Sequence, residues 1–405
     1  MTIVYCVVYC VTAALLIWLS FKSFRGGLAY LAFFKTELAK PISDYTPFAT
    51  IIAPCRGIDQ GLDANLASLF DQKYPQYEII FVVDDEDDPA VSVIEKLISA
   101  NKNGVNARLV YAPKAVRSSQ KVENLISAVE KRARISDVLV FVDSDARPET
   151  DWLRRLVAPL ETDDVGASTG YRWFISPDPN FASEMRSAWN ASIASALGPN
   201  ARSNFCWGGS MAIRCSTFDK FQLLLRWNGT VSDDFVVTRT MEENALKIAF
   251  VPQALTVSYE HCTLFEMLEF TTRQIKITRT YAPKLWAMSL IGSTLFVGVM
   301  LASPMILIFS RENSWLVVVA AFTIFSISMF SIGKSFVRLK AVRLALPQWD
   351  NELRRQTFTQ LTLFLIAPMV FLYNCIAALF SRRLTWRGTT YELKSASETV
   401  IITSK

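Results

Sequence analysis

Histidine is almost missing from this 405-residue sequence, in which His261 is the single example. One imidazole excludes a histidine-rich metal site and argues against Ser-His-Asp chemistry, which needs a positioned histidine as its base. The seven cysteines are scattered, and no two of them form a Cys-x-x-Cys pair. An odd number of cysteines without such a pair predicts free thiols in a cytosolic domain.

The glycine-rich loops that commonly hold phosphate groups are also missing. No GxGxxG pattern follows the first predicted strand, and GxxxxGK[ST] occurs nowhere in the chain. Any phosphate of a ligand therefore has to be held by a metal ion and by side chains. The net charge of +5 is mild, and no RNA- or DNA-binding module is recognisable, so we predict no nucleic-acid partner.

Charged side chains are absent from four long apolar stretches, residues 3–21, 285–309, 315–333 and 358–380. A helix needs roughly 20 apolar residues to cross a bilayer, so each stretch is long enough to span it or nearly so. A buried core helix is the alternative, but such helices rarely run this long without a charge. The sequence therefore predicts an integral, multi-pass membrane protein.

The first apolar stretch is predicted to be an uncleaved anchor. No lysine or arginine precedes it and no small-x-small cleavage site follows it, whereas Lys22, Arg25 and Lys35 come soon after it. A signal peptide would carry its positive charges before the apolar run. The positive-inside rule then places the N-terminus outside and residue 22 onward in the cytosol.

These features divide the chain into five predicted parts. They are an N-terminal transmembrane anchor (1–22), a globular cytosolic domain (48–262), an amphipathic interfacial segment (263–284), a C-terminal transmembrane region with about three hydrophobic segments (285–381) and a basic tail (382–405). The loop at 334–355 and the tail are both basic, but they cannot both be cytosolic if the segment between them crosses once. One hydrophobic segment is therefore a candidate re-entrant loop, and Pro304 and Pro368 mark two positions for it.

The globular domain alternates short β-branched runs with helical patterns. Strands are predicted over residues 49–54, 77–83, 107–112 and 137–142, and helices over residues 62–70, 90–100, 120–132 and 152–160. Such alternation predicts an α/β fold with a largely parallel sheet covered on both faces. Two later runs, 166–173 and 208–214, are also predicted to be strands. Ligands of such sheets bind at the carboxyl ends of the strands.

Acidic residues follow those carboxyl ends. "DDEDDPA" comes after the second predicted strand and "DSDARP" after the fourth, which places Asp84, Asp85, Asp87, Asp88, Asp143 and Asp145 at one edge of the sheet. A solvated acidic rim is one explanation. The other is a cation that relieves the repulsion between the carboxylates. Hard oxygen ligands select Mg²⁺ or Mn²⁺, which in turn bind substrate phosphates.

An ordered set of motifs carries a family resemblance. It comprises "GIDQGLDANLASLFDQKYPQYEIIFVVDDEDDPA", "FVDSDARP", "CWGGSMAIR", "SDDF", a basic amphipathic segment and the ending "LTWRGTTYEL". In these motifs the chain resembles membrane glycosyltransferases of families 2 and 21, in particular the ceramide glucosyltransferase-like branch. The similarity covers nearly the whole chain. It implies a cytosolic GT-A domain, which is a Rossmann-like nucleotide-diphospho-sugar transferase fold, between N-terminal and C-terminal transmembrane helices.

The resemblance also implies roles for individual residues. Asp234 is expected to be the catalytic base, and Asp145 is expected to ligate Mn²⁺ or Mg²⁺ at the diphosphate. Trp207, Gly208 and Asp233 are expected on the acceptor side. For Asp233 and Asp234, simple capping of a helix that begins at Ser232 is the alternative. The expected nucleotide-sugar-binding residues are Gly57, Asp85, Asp87, Asp88, Lys121, Asn124, Asp143, Asp145, Arg273 and Lys276.

One motif departs from the family pattern. The usual (Q/R)xxRW motif is "RQIKI" here, so that Lys276 replaces the arginine and Ile277 replaces the tryptophan. Arg273 and Lys276, three residues apart on a helix, still present two cations to one side and are predicted to hold the diphosphate. The missing tryptophan puts long-chain polymerisation in doubt. An interfacial helix whose basic residues meet only lipid headgroups is the alternative.

The resulting hypothesis is a metal-dependent, inverting transfer of one hexose, with UDP-glucose as the favoured donor, to a lipid hydroxyl at the cytosolic membrane face. The expected partners are a nucleotide-sugar donor, a membrane lipid acceptor and the bilayer itself. A bacterial inner membrane is the favoured location, with the Golgi or endoplasmic reticulum for a eukaryotic chain. A processive polysaccharide synthase is the first alternative, and an inactive membrane scaffold with the same fold is the second.

Overall fold

The computed structural model describes residues 2–310 and 312–403 and divides into two compact units. The membrane unit contains residues up to 35, residues 184–189 and residues 264–381. The sheet unit contains residues 36–183, 190–263 and the chain from 382 onward. The first helix, α1 (Thr2–Leu38), continues well beyond residue 22, where the predicted anchor ends.

The sheet unit is organised around one mixed sheet. Its strands and those of a smaller sheet are β1 (Ala49–Pro54), β2 (Tyr77–Val83), β3 (Asn106–Tyr111), β4 (Val138–Val142), β5 (Val165–Thr169), β6 (Arg172–Ile175), β7 (Ser210–Arg214), β8 (Lys247–Phe250) and β9 (Thr256–Tyr259). The main sheet has the order β3-β2-β1-β4-β7-β5-β8, and β6 pairs with β9. Strands β1 to β4 are mutually parallel, whereas β7 runs antiparallel to both β4 and β5. The predicted fold class, α/β with a largely parallel sheet, is confirmed.

Helices connect and cover these strands. They are α2 (Leu62–Ala67), α3 (Ala90–Ala100), α4 (Gln120–Glu130), α5 (Trp152–Val157), α6 (Phe181–Ala194), α7 (Cys215–Lys220), α8 (Leu223–Trp227) and α9 (Asp233–Glu243), with 3₁₀ turns at Ala158–Glu161 and Pro252–Ala254. Ser119 caps α4 by accepting a hydrogen bond from the Val122 amide at 3.2 Å. Val122 and Leu125 on α4 pack in one buried cluster with Ile52 and Phe141 of neighbouring strands. This packing fixes the start of α4 relative to the carboxyl ends of β1 and β4.

The run at 166–173, predicted to be one strand, is two strands. β5 ends at Thr169 and pairs in the main sheet, whereas β6 begins at Arg172 and pairs with β9. Gly170 makes the change of direction possible, because a Cβ at this position would lie 1.9 Å from the Ala254 carbonyl oxygen. The sequence pattern does not indicate that the chain passes from the main sheet to the smaller sheet here, because this change depends on contact with a turn that is distant in sequence.

The membrane unit contains the remaining helices. They are α10 (Leu264–Tyr281), α11 (Pro283–Phe309), α12 (Ser314–Ala345), α13 (Asp350–Arg355), α14 (Thr357–Thr362) and α15 (Ala367–Phe380), with 3₁₀ turns at Pro347–Trp349 and Leu363–Leu365. Among the described residues, three helices are long and apolar enough to cross a membrane: Val4–Leu38, Pro283–Phe309 and Ser314–Ala345. The last apolar stretch is instead a bent pair, Thr357–Leu365 followed by Ala367–Phe380, with an angle of 55° between its halves.

The two prolines considered for a re-entrant segment behave differently. Pro304 lies inside α11, which continues through it to Phe309. Pro368 lies in the first turn of α15, directly after the bend. Proline fits the first turn of a helix but cannot continue the hydrogen bonds of a preceding one. The break therefore falls at Pro368, and the bent pair is either one broken span or a re-entrant loop.

The segment predicted as a basic tail is folded. Strands β10 (Arg383–Trp386), β11 (Thr389–Ser395) and β12 (Glu398–Thr403) form an antiparallel sheet that belongs to the sheet unit. The β10–β11 turn has Arg387 and Gly388 at φ 50° and 80°, as a tight hairpin turn with two left-handed residues requires. Residues 404 and 405 lie outside the described residues.

Candidate active site

The strand directions bring four loops to one edge of the main sheet. β1, β2 and β4 are parallel, so the loops that follow Pro54, Val83 and Val142 meet there. β7 is antiparallel to β4, with Ser210 opposite Val142, so Gly208 and Gly209 lie at the same edge. The acidic motifs and the glycine pair, which are far apart in sequence, therefore become neighbours.

Lys121 joins two of the predicted carboxylates. Its Nζ lies 2.7 Å from Asp143 Oδ1 and 3.4 Å from Asp233 Oδ1. Burial alone would lower the pKa of Lys121, but the charges of Asp143, Asp233 and Asp234 raise it above its usual range. Burial would raise the pKa of Asp143, but the cations of Lys121 and Arg172 lower it. Lys121 and Asp143 are therefore both charged at neutral pH.

Arg172 is the cation beside Asp145. Its Nη1 lies 2.9 Å from Asp145 Oδ2, and its Nη2 lies 4.0 Å from Asp143 Oδ2. The guanidinium carbon also lies 4.8 Å from the centre of the buried Trp207 ring. Burial raises the pKa of Asp145 to about 7 despite the opposing charge of Arg172. Asp145 is therefore the carboxylate whose charge depends most on a further cation.

The repulsion between the carboxylates is relieved largely by the protein's own side chains. Lys121 and Arg172 lie within the cluster, so crowding by itself does not require a metal ion, contrary to the expectation from sequence. The groups present nevertheless fit Mn²⁺ or Mg²⁺. Asp145 Oδ1 is buried and has no hydrogen-bond partner among the described residues. In residues 2–310 and 312–403 no three His, Cys, Asp or Glu side chains are placed to hold a metal together.

The two adjacent aspartates at the start of α9 have different surroundings. Asp233 is buried, and burial raises its pKa to about 6. Asp234 is half-buried, and its Oδ2 accepts a hydrogen bond from the Gly208 amide at 3.3 Å. Asp234 Oδ1 accepts from the Phe235 amide at 2.8 Å and from the Ser232 hydroxyl. Ser232 thus occupies the capping position, but its side chain bonds Asp234 instead of a backbone amide.

Gly208 allows these groups to approach each other. Its Cβ, if present, would lie 2.2 Å from Asp233 Oδ2 and 3.1 Å from Lys121 Nζ. A Cβ on Gly209 would lie 2.2 Å from the Trp207 ring and 2.7 Å from Asp143 Oδ2. The two glycines therefore lie so close to the carboxylate cluster that neither position has room for a side chain.

The other predicted nucleotide-binding residues lie in the loops after β1 and β2. The Gly57 amide, at φ +68°, donates to both carboxylate oxygens of Asp88 at 2.9 and 3.0 Å. Asp85 is exposed, and its hydrogen bond to Lys114 lowers its pKa. Asp87 is also exposed on this loop. Asp88 therefore holds the two loops together, whereas Asp85, paired with Lys114, and Asp87 are exposed to solvent.

Three further predicted residues, Asn124, Arg273 and Lys276, lie on the helices α4 and α10. Asn124 is buried on α4, where its Oδ1 accepts a hydrogen bond from Gln120 Nε2 at 2.9 Å. Arg273 and Lys276 lie on α10 in the membrane unit. Arg273 lies over the Phe270 ring at 5.6 Å, and burial lowers the pKa of Lys276.

Several residues of the site were missed from the sequence. From the sequence, Arg172 is predicted only to lie in a strand, although a charged residue in the apolar run "GYRWFI" is a visible signal. Asp59 was also missed; its Oδ2 accepts from Ser144 Oγ at 2.6 Å, and its Oδ1 lies 2.6 Å from Arg387 Nη2. Arg387 lies in the family-like ending "LTWRGTTYEL", but nothing in that motif indicates a contact with Asp59.

A groove of about 660 Å³ elsewhere in the sheet unit does not contain this chemistry. It is lined by residues such as Phe48, Tyr77 and Asn106, which lie before or at the amino ends of β1, β2 and β3. The carboxylate cluster lies at the carboxyl ends of the same strands. The groove is therefore at the opposite edge of the sheet and is not the site of the acidic motifs.

Comparisons with known proteins agree with the motif set. The chain is 33% identical over 152 residues to a ceramide glucosyltransferase of Komagataella phaffii, which is 36% of this chain and 29% of that protein. It is 29% identical over 206 residues to the glucans biosynthesis glucosyltransferase H of Rhodopseudomonas palustris, which is 48% of this chain and 28% of that protein. The chain thus aligns with less than a third of the length of these two relatives.

Among solved structures, a mannosyltransferase from Pyrobaculum calidifontis in complex with GDP-Man and Mn²⁺ has a TM-score of 0.46 and 19% identity. That alignment covers 89% of this chain and 99% of the other. The sequence profile of glycosyl transferase family 21 matches residues 3–399, which is nearly the whole chain. The family and enzyme class predicted from the motifs are thereby confirmed, and the chain belongs to glycosyl transferase family 21.

Proposed function

We propose that this protein is a membrane-bound glycosyltransferase that moves one hexose from a nucleotide-diphosphate sugar, with UDP-glucose favoured, to the hydroxyl of a membrane lipid. The observation that carries the proposal is the cluster at the carboxyl edge of the sheet. It combines Asp143 bonded to Lys121, Asp145 bonded to Arg172, and a half-buried Asp234. The named activity of the ceramide glucosyltransferase relative supports a lipid acceptor.

The donor is proposed to bind along this edge. Asp85 and Asp87 are exposed on the loop after β2 and are available to the base and ribose, while Gly57 and Asp88 shape the adjacent loop. Asp143, Lys121 and Asn124 are proposed to lie beside the diphosphate of the donor. The diphosphate contacts predicted for Arg273 and Lys276 stay a prediction.

Asp145 is the residue proposed to hold Mn²⁺ or Mg²⁺, through the Oδ1 atom that has no hydrogen-bond partner among the described residues. The ion, when bound, offsets the negative charge that develops on the departing diphosphate. Arg172 and Lys121 hold the two aspartates of the motif in place and keep Asp143 ionised. Trp207, stacked on Arg172, keeps that guanidinium from turning away.

Asp234 is proposed as the general base. The acceptor oxygen attacks the anomeric carbon, the bond from that carbon to the diphosphate breaks, and the hydroxyl proton passes to the Asp234 carboxylate. Attack from the face opposite the leaving group inverts the anomeric configuration. Asp234 is half-buried and oriented by the Gly208 amide, whereas Asp233 is buried against Lys121. Asp233 therefore supports Lys121 at the donor diphosphate, and its place on the acceptor side, next to the wall formed by Trp207 and Gly208, stays a prediction.

The proposed location is a membrane, with the sheet unit on its cytosolic side and a bacterial inner membrane favoured. Residues 36–183, residues 190–263 and the β10–β12 sheet belong to one compact unit, so we infer that they lie on the same side of the bilayer. The chain between them must then cross an even number of times. We infer that α11 and α12 cross once each and that the bent pair returns to the side it came from.

The test is a transfer assay on the full chain in detergent or vesicles. Radiolabelled UDP-glucose, Mn²⁺ and a panel of hydroxyl lipids that includes ceramide are expected to yield a single glycolipid. Asp145→Ala and Asp234→Asn are each expected to lower the rate of product formation by at least about a hundredfold. A ladder of products would favour the processive alternative. A product that both variants form at the wild-type rate would overturn the assignment of the site, and no product with any sugar nucleotide or lipid would favour the inactive scaffold.

A further inference from the structure

The C-terminal hairpin, formed by β10, β11 and β12, reaches the loop that follows β1 through its β10–β11 turn. Arg387 Nη2 lies 2.6 Å from Asp59 Oδ1, and its Nη1 donates to the Arg56 carbonyl oxygen at 2.9 Å. Arg56 Nη1 in turn donates to Thr389 Oγ1 at 3.4 Å. The hairpin and the loop therefore bond each other in both directions, although their residues are more than 300 positions apart.

The same loop fixes the residue between the two aspartates of the DxD motif. Asp59 Oδ2 accepts a hydrogen bond from Ser144 Oγ at 2.6 Å. The Ser144 carbonyl oxygen accepts from Asn65 Nδ2 at 3.1 Å, and Asn65 Oδ1 accepts from Arg147 Nε at 2.9 Å. Ser144 is buried, with both its side chain and its carbonyl held. Its position sets the directions of Asp143 and Asp145.

The hairpin contacts the other support of Asp143 as well. The Tyr391 hydroxyl, on β11, accepts a hydrogen bond at 3.2 Å from the Gln120 amide, which immediately precedes Lys121. Tyr391 is buried. The carbonyl oxygen of Ser397 would lie 2.4 Å from a Cβ on Gly229, which has φ +82°. The hairpin thus contacts the rest of the sheet unit at several separate points. Two of these contacts, made by Arg387 and Tyr391, involve residues that support Asp143.

The charge of Arg387 is matched to this position. Asp59 is largely buried beside other acidic groups, and its only ion pair in the described chain is with Arg387. Burial alone would lower the pKa of Arg387, but Asp59, Asp145 and Glu260 raise it. Loss of Arg387 would remove the cation that pairs with the Asp59 carboxylate close to Asp145, and we expect the loop to rearrange.

We propose that the C-terminal hairpin is part of the donor site and that Arg387 is a positioning residue, which fixes the DxD loop through Asp59 and Ser144. The proposal rests on the proposed function, in which Asp143 and Asp145 hold the donor diphosphate and its metal ion. The hairpin does not touch the reacting atoms. It sets the geometry of the carboxylates that do, so its loss is expected to weaken donor binding selectively.

The test compares Arg387→Gln with Arg383→Gln in the full-length protein. Arg383 lies on β10 of the same hairpin and pairs on the surface with Glu392 at 3.5 Å, which makes it a matched control. Calorimetry with UDP and Mn²⁺ is expected to show at least tenfold weaker binding for Arg387→Gln and unchanged binding for Arg383→Gln. The KM for the donor is expected to rise and the KM for the acceptor to stay constant. Arg387→Lys should restore part of the loss.

A second variant keeps the test decisive if Arg387→Gln does not fold. Ser144→Ala removes only the hydroxyl bonded to Asp59, and it is expected to raise the donor KM in the same direction without lowering the melting temperature much. The hairpin proposal would be overturned if every variant that folds, Arg387→Gln or Ser144→Ala, bound UDP as tightly as the wild type while Asp145→Ala did not bind it. That result would leave the proposed function intact. Absence of UDP binding in the wild-type protein would instead remove the proposed function.

Discussion

At the scale of single residues, the chemistry of the site depends on cations that hold the aspartates. Arg172 is buried, bonds Asp145 at 2.9 Å and lies under the Trp207 ring. Arg172→Gln is expected to lower the affinity for UDP with Mn²⁺ by at least tenfold, because Asp145 loses the charge that opposes its protonation. Calorimetry checks this result against Arg202→Gln, which changes an exposed arginine. Equal affinity in the two variants would contradict the role of Arg172.

Asp233 and Asp234 are adjacent but are expected to fail in different ways when changed. Asp234→Asn removes the proposed base, and general-base catalysis typically contributes about 10²–10⁴-fold, so kcat should fall by that order while UDP binding is retained. Asp233→Asn removes a partner of Lys121 and should raise the donor KM more than it lowers kcat. Steady-state kinetics of both variants separate the roles. The reverse pattern would move the base to Asp233.

The raised pKa of Asp233 also predicts how stability depends on pH. Its folded-state pKa is about 6, above the usual 3.8, so the folded state binds its proton more tightly. The free energy of unfolding should therefore fall as pH rises from about 4 through 6, by up to about 3 kcal/mol, and level off above. Lys121, Asp234 and Asp143 face this carboxylate.

The measurement is the melting temperature in metal-free buffer between pH 4.5 and 7. Asp233→Asn cannot titrate at this position, so its melting temperature relative to the wild type should increase as pH rises through the window. A constant difference between the two proteins across the pH range would mean that Asp233 does not titrate with a raised pKa.

At the scale of elements, the sequence predicts best those strands whose positions are determined by local residue patterns. The β-branched runs located β1, β2 and β4, and the acidic residues after them fell at one edge because parallel strands end together. The hairpin β10–β11 was missed, since its only local signals are a short alternation and an Arg-Gly turn. Its partner Asp59 is 328 positions away, and a single sequence does not reveal such a pairing.

The loop before β7 is the element with the tightest steric limits in the site. Gly208→Ala would bring a methyl group to 2.2 Å from Asp233 Oδ2 and 3.1 Å from Lys121 Nζ. We expect at least tenfold weaker UDP binding with a smaller change in melting temperature, because the side chains, not the sheet, have to move. Gly198→Ala is the control, since no atom lies within 4 Å of its Cβ. If Gly208→Ala bound UDP with normal affinity, the wall formed by Trp207 and Gly208 would have room for a side chain at this position.

At the scale of the whole molecule, one compact unit is assembled from segments on either side of the apolar region. In the proposed topology, this membership removes the conflict between the basic C-terminal segment and the basic segment at 334–355, whose first part, up to Ala345, lies in α12. Both can be cytosolic if the bent pair of α14 and α15 enters and leaves the membrane on one face. The sequence marked Pro368 as a candidate break, but choosing it over Pro304 required knowing where the chain bends.

Cysteine labelling tests that topology. The native cysteines in the described sheet unit are buried, so an impermeant maleimide is expected to give little background there. Asn351→Cys and Ser397→Cys, both at exposed positions, should be labelled from the same side as Lys102→Cys in the sheet unit, and Glu312→Cys from the opposite side. If Ser397→Cys and Lys102→Cys were labelled from opposite sides, the bent pair would be a true span. The hairpin would then be separated from the DxD loop by the bilayer, and Arg387 would have no access to Asp59.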